Sequence, residues 1–205
     1  MEDLTRSGKV RYVGCSNYWA WEVVSLVCTA KANGWQPLAA VQPLYNIVNR
    51  DIEVELLPMA HRMGLGVVTY SPLARGVLTG KYQWKQQAPV GSRLDRSDRR
   101  FMQAEWRAES VSVAQSLAPL AEQHQCSVAQ LATAWAMSNK RVHSVIIGPK
   151  NLAQAHEYLG ATEIVVDGET EAAIDALVPP GCHTGTGRPD PDYYPVLGRV
   201  VTSIK

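Results

Sequence analysis

The chain has 205 residues, of which 46% are hydrophobic and 19% charged. This size and balance fit a globular domain with a substantial core and argue against long disorder and membrane spans. The net charge is +1 without a long basic run, which argues against a nucleic-acid partner. The four cysteines form no C-x-x-C pair, the five histidines form no H-x-x-x-H spacing and the N-terminus has no export signal pattern. We therefore expect a metal-free cytoplasmic protein with reduced thiols.

The first predicted unit is a strand followed by a helix. Residues 1–8 have the pattern of the last turns of a helix, and residues 10–15 are predicted to form a strand that ends at the polar pair Ser16 and Asn17. Apolar residues then recur with helical spacing until Gly34, which is expected to end the helix.

The second unit repeats this order. An apolar strand is predicted over residues 38–41, and the polar Gln42 follows it. A helix is expected over residues 52–63, with a kink or a lost hydrogen bond at Pro58.

The third unit contains the most informative stretch, residues 64–82, in which an apolar strand stops at a Ser-Pro turn and a glycine-spaced loop. Gly76 and Gly80 permit close backbone approach, and Lys81 adds a positive charge beside them. This combination suits a phosphate, although such a loop is more often only a connection. Residues 83–107 are then expected to form a long excursion, either a lid or a disordered segment.

The rest of the chain is predicted to contain two amphipathic helices, a fourth strand-helix unit and a short last helix. In order, these are a helix through Val113 and Ala121, a helix capped by Ser127, a strand over residues 143–147, and helices over residues 151–159 and 170–178.

Four consecutive strand-helix units predict a parallel α/β architecture, either a doubly wound sheet or a (β/α)8 barrel. The turn after the first strand, residues 14–17, is not G-x-G-x-x-G, which argues against the doubly wound form. Functional groups of a barrel lie at the C-terminal ends of its strands. Polar or glycine residues do recur at all four predicted strand ends: Ser16 and Asn17, Gln42, Tyr70 and Ser71, and Gly148 and Lys150.

Four segments carry a resemblance to a known family: residues 8–17 (GKVRYVGCSN), 41–46 (VQPLYN), 70–82 (YSPLARGVLTGKY) and 146–151 (IIGPKN). In this order they resemble the aldo-keto reductase superfamily, NADP(H)-dependent oxidoreductases with a (β/α)8 barrel, and most of all its bacterial members akin to potassium-channel β subunits. The resemblance implies that residues 1–181 correspond to the C-terminal half of such a barrel, with about its last four β/α units. Residues 182–205 are expected to be an irregular tail.

The resemblance implies a cofactor-binding role for residues at the strand ends. Ser16, Asn17 and Gln42 would hydrogen-bond the nicotinamide carboxamide, and the nicotinamide ring would stack on Tyr70.

It assigns the phosphates and the adenosine as well. The pyrophosphate would lie against backbone groups and two cations, namely Ser71, Leu73, Ala74, Gly76, Lys81 and Arg93. Gly148, Lys150 and Asn151, at a helix start, would bind the 2'-phosphate, where free N–H groups favour an anion. Gln154 and Glu157 would face the adenine ribose or base.

The resemblance also implies an absence. The acid/base tetrad of the family (Asp, Tyr, Lys and His) lies on the first four strands of its barrel, and we expect this chain to lack it and to be inactive alone. Three interpretations remain open: the cofactor-binding half of a carbonyl reductase, a non-catalytic NADP(H)-binding module, and a half-barrel interaction module. A small carbonyl substrate is expected only if another half completes the barrel. Because four strands leave both sheet edges open, we expect self-association or pairing with a complementing half-barrel.

Overall fold

In the computed structural model, residues 1–185 are described, and four strands and the helices around them form one α/β layer structure. The strands are β1 (Val13–Ser16), β2 (Leu38–Gln42), β3 (Gly66–Tyr70) and β4 (Ser144–Ile146). The helices are α1 (Glu2–Arg6), α2 (Ala20–Ala32), α3 (Leu56–Met63), α4 (Arg99–Ala104), α5 (Ala108–Ser116), α6 (Ala118–Gln123), α7 (Val128–Ser138), α8 (Leu152–Gly160) and α9 (Gly168–Leu177).

The four strands form a single sheet in the order β1-β2-β3-β4, and every neighbouring pair is parallel. Ser16 pairs with Gln42, and Tyr70 pairs with Ile146, so the C-terminal ends of the strands lie along one edge of the layer. The prediction of a parallel α/β fold is therefore confirmed. The arrangement is consistent with part of a (β/α)8 barrel.

The core lies between this sheet and the helices that follow its strands. Val41 of β2 and Val67 of β3 are buried and belong to one apolar cluster with Val23 of α2 and Leu57 of α3. The opposite sheet face is open at its edges, where Gly14 and Ser144 are exposed. Burial therefore alternates along the strands because only one face of the sheet is covered by helices.

Helix α9 is joined to the segment after β2 by a buried arginine. The Arg50 side chain is 3% exposed and lies 5.0 Å from the Trp135 ring centroid. Its guanidinium donates to Asp175 of α9 at 2.7 Å, to the Val178 carbonyl at 2.7 Å and to Glu53 at 3.0 Å. These bonds satisfy the buried charge and fix the end of α9 against the rest of the layer.

The predicted helix over residues 52–63 is wrong in its first half. A 3-10 turn occupies Asp51–Glu53, and the α-helix begins only at Leu56. Pro58 therefore lies in the first turn of α3, where its missing N–H would have no helical partner in any case. The predicted kink at Pro58 is likewise wrong.

The segment of residues 83–107 is neither an open lid nor unstructured, because it contains α4 and an aromatic cluster. Asp98 caps α4 by accepting from the Phe101 N–H at 2.9 Å. The Trp106 ring lies 5.0 Å from that of Trp84, and 5.6 Å from those of Tyr82 and Phe101. Packing of these four rings holds the segment against the end of the loop that follows β3.

Two further expectations concern helices α5 to α7. The single helix predicted through Val113 and Ala121 is divided in two: α5 ends at Ser116, and α6 begins at Ala118 with Pro119 in its first turn. The Ser127 cap of α7 is confirmed: its Oγ accepts from the Gln130 N–H at 3.1 Å, and the Gln130 side chain accepts from the Ser127 N–H at 3.0 Å.

The predicted tail falls mostly outside the described residues. Of residues 182–205, only residues 182–185 are described. There the His183 Nδ1–H donates to Asp51 Oδ1 at 2.6 Å, and His183 pairs with Asn49 in a β-bridge. Among residues 1–185, none of the helices has the length and apolar character required to cross a membrane.

Candidate functional site

A cavity of about 330 Å³ lies at the C-terminal ends of β3 and β4. It is lined by most of the residues that the sequence assigns to the phosphates and the adenosine, together with the ring of Tyr70 at the end of β3. The predicted site residues that line it are Tyr70, Ser71, Leu73, Gly76, Lys81, Arg93, Gly148, Lys150, Gln154 and Glu157. Ala74 and Asn151 are not part of the lining: Ala74 is buried in the loop after β3, and Asn151 is the exposed N-cap residue of α8. Ser16, Asn17 and Gln42 lie at the neighbouring strand ends.

The loop after β3 has an unusual backbone. Ala74, Arg75 and Gly76 have φ angles of +45°, +52° and +107°, and Ser71 has +62°. Non-glycine residues seldom adopt this region, which costs free energy and is concentrated at binding sites. The positive φ of Gly76 favours glycine, so no side chain stands at this position. A Cβ there would lie 3.7 Å from Lys81 Nζ.

Hydrogen bonds within the loop occupy several of its N–H groups. Ala74 N–H donates to the Ser71 carbonyl at 3.0 Å, Gly76 N–H to the Leu73 carbonyl at 2.7 Å, and Arg75 N–H to Ser71 Oγ at 3.2 Å. In this arrangement the backbone of Ala74 and Gly76 gives the loop its shape. Ser71 also lines the cavity, and its hydroxyl is a side-chain group that can donate to a ligand.

Positive side chains are concentrated around the cavity. Lys81 and Arg93 line it, and Arg93 is held by an ion pair to Asp98 at 2.8 Å. Burial, followed by repulsion from Arg93, lowers the pKa of Lys81. Repulsion from Arg96, the largest cause, lowers the pKa of Lys150, with burial and Arg93 adding to it. Repulsion between cations thus contributes to both lowered pKa values, and a bound polyanion would relieve that repulsion.

Helix α8 starts at the cavity with a complete cap. Asn151 Oδ1 accepts from the Gln154 N–H at 2.9 Å, and Gln154 Oε1 accepts from the Lys150 N–H at 2.8 Å. Asn151 and Gln154 thus fix the helix start and hold Lys150 at the cavity rim. Glu157, one turn further on, accepts from Ser127 Oγ at 2.7 Å.

The strand ends beside the cavity form a second polar group. Ser16 Oγ donates to the Gln42 carbonyl at 2.8 Å, and the Tyr70 hydroxyl donates to Asn17 Oδ1 at 3.0 Å. Asn17 has a φ of +60°, again in the strained left-handed region. These contacts join the ends of β1, β2 and β3, so that Ser16, Asn17, Gln42 and Tyr70 form one row that continues into the cavity.

Sequence reasoning missed two of the cations. Arg75 lines the cavity, and Arg96 lies near enough to Lys150 to dominate the shift of its pKa. Arg75 stands in the glycine-spaced loop, where its positive charge was a signal available from the sequence. Arg96 lies in a charged segment whose fold depends on distant aromatic contacts, so no local pattern indicates where it points.

A metal centre has no support in the part of the chain that the structure describes. Within residues 1–185 there is no group of three or more His, Cys, Asp or Glu side chains positioned to hold a metal ion.

Comparison with known proteins decides the family. The model of the Aldo/keto reductase family matches residues 1–179. The chain belongs to this family. Among curated aldo/keto reductase relatives, it is 31% identical over 194 residues to the "Uncharacterized oxidoreductase YrpG" of Bacillus subtilis, covering 94% of this chain and 55% of that protein.

A second relative is the "Putative aryl-alcohol dehydrogenase C977.14c" of Schizosaccharomyces pombe, 30% identical over 182 residues, which covers 89% of this chain and 49% of that protein. A third, the "Putative aryl-alcohol dehydrogenase C750.01" of the same yeast, is 32% identical over 137 residues, which covers 67% of this chain and 41% of that protein. The chain thus spans about half the length of the curated relatives it matches.

Proposed function

We propose that this chain forms the NADP(H)-binding part of an aldo/keto reductase that transfers a hydride between the nicotinamide and a small carbonyl or alcohol. The observation that carries the proposal is the cavity at the ends of β3 and β4, where Lys81, Arg93 and Lys150 converge. Burial and then Arg93 lower the pKa of Lys81, and repulsion from Arg96 is the largest cause of the lowered pKa of Lys150. A site in which positive side chains repel one another when no ligand is bound is suited to an anion with several charges, because the anion would offset that repulsion.

Preference for NADP(H) over NAD(H) is part of this proposal. Lys150 precedes the capped start of α8, and Arg96 is its strongest charged neighbour. A helix N-terminus with two adjacent cations favours a dianionic group such as the adenosine 2'-phosphate. The pyrophosphate would be held by Lys81 and Arg93, which line the same cavity.

A bound nicotinamide dinucleotide would supply the hydride, and carbonyl reduction also needs a proton donor. A tyrosine donor works best when a neighbouring cation lowers its pKa. Here burial raises the pKa of Tyr45 and of Tyr158. The Tyr45 hydroxyl donates to Glu53 at 2.6 Å, and that of Tyr70 donates to Asn17. We therefore propose that the acid/base residues are supplied by another polypeptide segment rather than by this chain, and that this chain alone binds the cofactor without turnover.

The test is a fluorescence titration of the purified chain with NADPH and with NADH, combined with an assay of carbonyl-dependent NADPH oxidation. We expect saturable binding, tighter for NADPH, and no measurable oxidation. The Lys150→Gln variant should lose about tenfold in NADPH affinity, as expected for one charge-assisted contact, and little in NADH affinity. Lys140→Gln, at the other end of β4, is the matched control. Absence of saturable binding would refute the proposal.

The second candidate is a binding module that holds NADP(H) without any part in catalysis. This binding module would use the same cofactor site as the enzyme, but it would not require a second half-barrel. Addition of a separate polypeptide with the first four β/α units of a family member distinguishes the two. Restored carbonyl-dependent oxidation supports the enzyme, and unchanged inactivity of a stable complex supports the module.

We also propose that the open side of the sheet is covered, either by a second copy or by a complementing half-barrel. Strands β1 and β4 are the edges of the four-stranded sheet, and Ile146 and Ile147 at the β4 edge are 41% and 37% exposed. Tyr12, next to β1, is 72% exposed. Unpaired edges and exposed apolar residues favour association. Sedimentation should therefore detect species larger than the monomer, and a monodisperse monomer would contradict this part of the proposal.

A further inference from the structure

Two buried asparagines lie in the turn that follows β2. Asn46 and Asn49 are 0% and 2% exposed. Their backbones pair in a bridge in which each N–H donates to the carbonyl of the other residue, at 3.2 Å and 3.0 Å, and Asn49 Nδ2 donates to Asn46 Oδ1 at 3.1 Å. Buried amides persist only where their donors and acceptors have partners, so the other partners of this pair show what it holds in place.

Asn46 holds the turn that opens the loop after β3. Its Nδ2 donates to the Ser71 carbonyl at 2.9 Å, and its Oδ1 also accepts from the Val48 N–H at 3.1 Å. Ser71 has a φ of +62°, and its Oγ accepts from the Arg75 N–H at 3.2 Å. A left-handed residue other than glycine persists only where its surroundings determine it. The Asn46 amide is therefore one of the contacts that keep Ser71 in this conformation.

Asn49 holds a second segment, residues 83–107. Its Nδ2 donates to Glu105 Oε2 at 3.0 Å, and its Oδ1 accepts from Arg107 Nη1 at 3.3 Å. Glu105 is 1% exposed and directly follows α4. The segment that carries two arginines near the cavity thus ends at these contacts. The asparagine pair therefore joins the loop after β3 to the end of residues 83–107 through buried hydrogen bonds.

We propose that Asn46 and Asn49 are positioning residues for the cavity at the ends of β3 and β4, which they do not line. Lys81 follows one of the two joined segments, and Arg93 lies on the other; both line the cavity. A polyanion that contacts both cations binds most tightly when their separation is fixed beforehand, because otherwise the binding energy has to supply the ordering. The inference rests on the proposed function and adds two residues outside the cavity on which the affinity depends.

The experiment measures the affinity of the purified chain for NADP+ by calorimetry and the urea midpoint of the same preparations. Asn46→Ala should lose at least about tenfold in affinity, although no group that lines the cavity is removed. Asn139→Ala is the matched control, because both ends of the Asn139 amide are also bonded, to the Tyr45 hydroxyl and to the Arg141 N–H, each at 3.0 Å. Neither bond leads to the two joined segments. The control should lower the urea midpoint and keep the affinity within about twofold.

The variant Ser71→Gly separates positioning from a general loss of stability. Glycine adopts the left-handed region without strain, so the turn should depend much less on the Asn46 amide. In a Ser71→Gly background we expect Asn46→Ala to change the affinity by about threefold or less and to lower the urea midpoint less than it does in the unmodified chain. An undiminished loss of affinity would overturn the role of Asn46. If Asn46→Ala alone does not fold, a folded double variant supports that role, and a double variant that also fails to fold overturns it.

The variant Asn49→Ala tests the second contact. It releases Glu105 and Arg107, so the affinity for NADP+ should fall, and Ser71→Gly should not restore it. An unchanged affinity in Asn49→Ala, or an equally large loss in Asn139→Ala, would overturn the inference while leaving the proposed function intact. Absence of NADP+ binding by the unmodified chain would refute the proposed function itself, and the urea midpoints of Asn46→Ala with and without Ser71→Gly would still decide whether the amide holds the turn.

Discussion

Lys81 should contribute to cofactor binding while contributing little to stability. Its pKa is lowered by burial and by Arg93, so the charged form is disfavoured in the folded protein without a ligand. Its favourable contact is with the Tyr82 ring, whose centroid lies 5.1 Å from Nζ. We predict that Lys81→Met, which keeps most of the packing of the stem, affects binding and stability very differently.

The two magnitudes follow from these contacts. Loss of the cation–π contact removes about 0.5–1 kcal/mol at an exposed site, and relief of the repulsion offsets part of it. The free energy of unfolding should therefore change by less than about 1 kcal/mol. A hydrogen bond from an ammonium to a phosphate contributes about 1.5–3 kcal/mol, so the affinity for NADPH should fall by about ten- to a hundredfold.

Urea unfolding and NADPH titration of the same preparations measure the two effects. Lys85→Met is the control, because Lys85 stands in the same segment but does not line the cavity; it should leave both quantities unchanged. The reasoning is refuted if Lys81→Met destabilises the chain by more than about 2 kcal/mol, a cost typical of structural residues, and leaves the affinity unchanged.

Three further predictions concern charge, packing and capping. The affinity for NADPH should fall as the pH rises, because Lys81 and Lys150 have lowered pKa values and lose their protons below the ordinary lysine pKa of 10.5. Calorimetry between pH 7 and pH 10 measures this affinity, and a constant value would contradict the prediction. Arg50→Met should lower the free energy of unfolding by about 3–5 kcal/mol because it leaves Asp175 and other carboxylates without their buried partner, and a loss below about 1 kcal/mol in urea unfolding would show that the ion pairs are dispensable. Asn151→Ala should destabilise α8 by about 1 kcal/mol and weaken NADPH binding. An unchanged affinity for NADPH would show that the start of α8 takes no part in cofactor binding.

The features that could be predicted from the sequence are local ones. Ser127 was identified as a cap because the residue type and its position before an apolar helical pattern suffice. The four strands were identified because each is a short apolar run between turn residues, and a parallel sheet then brings their polar ends to one edge.

The features that were missed depend on distant contacts. The helix α4 forms where Asp98 caps it and where the rings of Tyr82 and Trp106 cover Phe101, and no periodicity within residues 83–107 indicates this. The position of Arg96 beside Lys150 follows from that packing. Pro58 was misjudged for a different reason, since a 3-10 turn occupies Asp51–Glu53 and the α-helix begins only at Leu56, which places Pro58 in the first turn.

The hydrogen bonds within the row of polar groups at the strand ends also lie beyond sequence reasoning. That Ser16 and Asn17 are polar is evident from the sequence. Which atoms they offer depends on the Gln42 carbonyl, 26 residues away from Ser16, and on the Tyr70 hydroxyl, 53 residues away from Asn17. Parallel pairing of β1 with β2 and of β2 with β3 creates both contacts.

A crystal structure of the chain with NADP+ tests the central claim most directly. The account predicts density for the dinucleotide along the C-terminal edge of the sheet, with the carboxamide at Ser16 and Asn17, the pyrophosphate at Lys81 and Arg93, and the 2'-phosphate at Lys150. A dinucleotide bound anywhere else on the chain would contradict it.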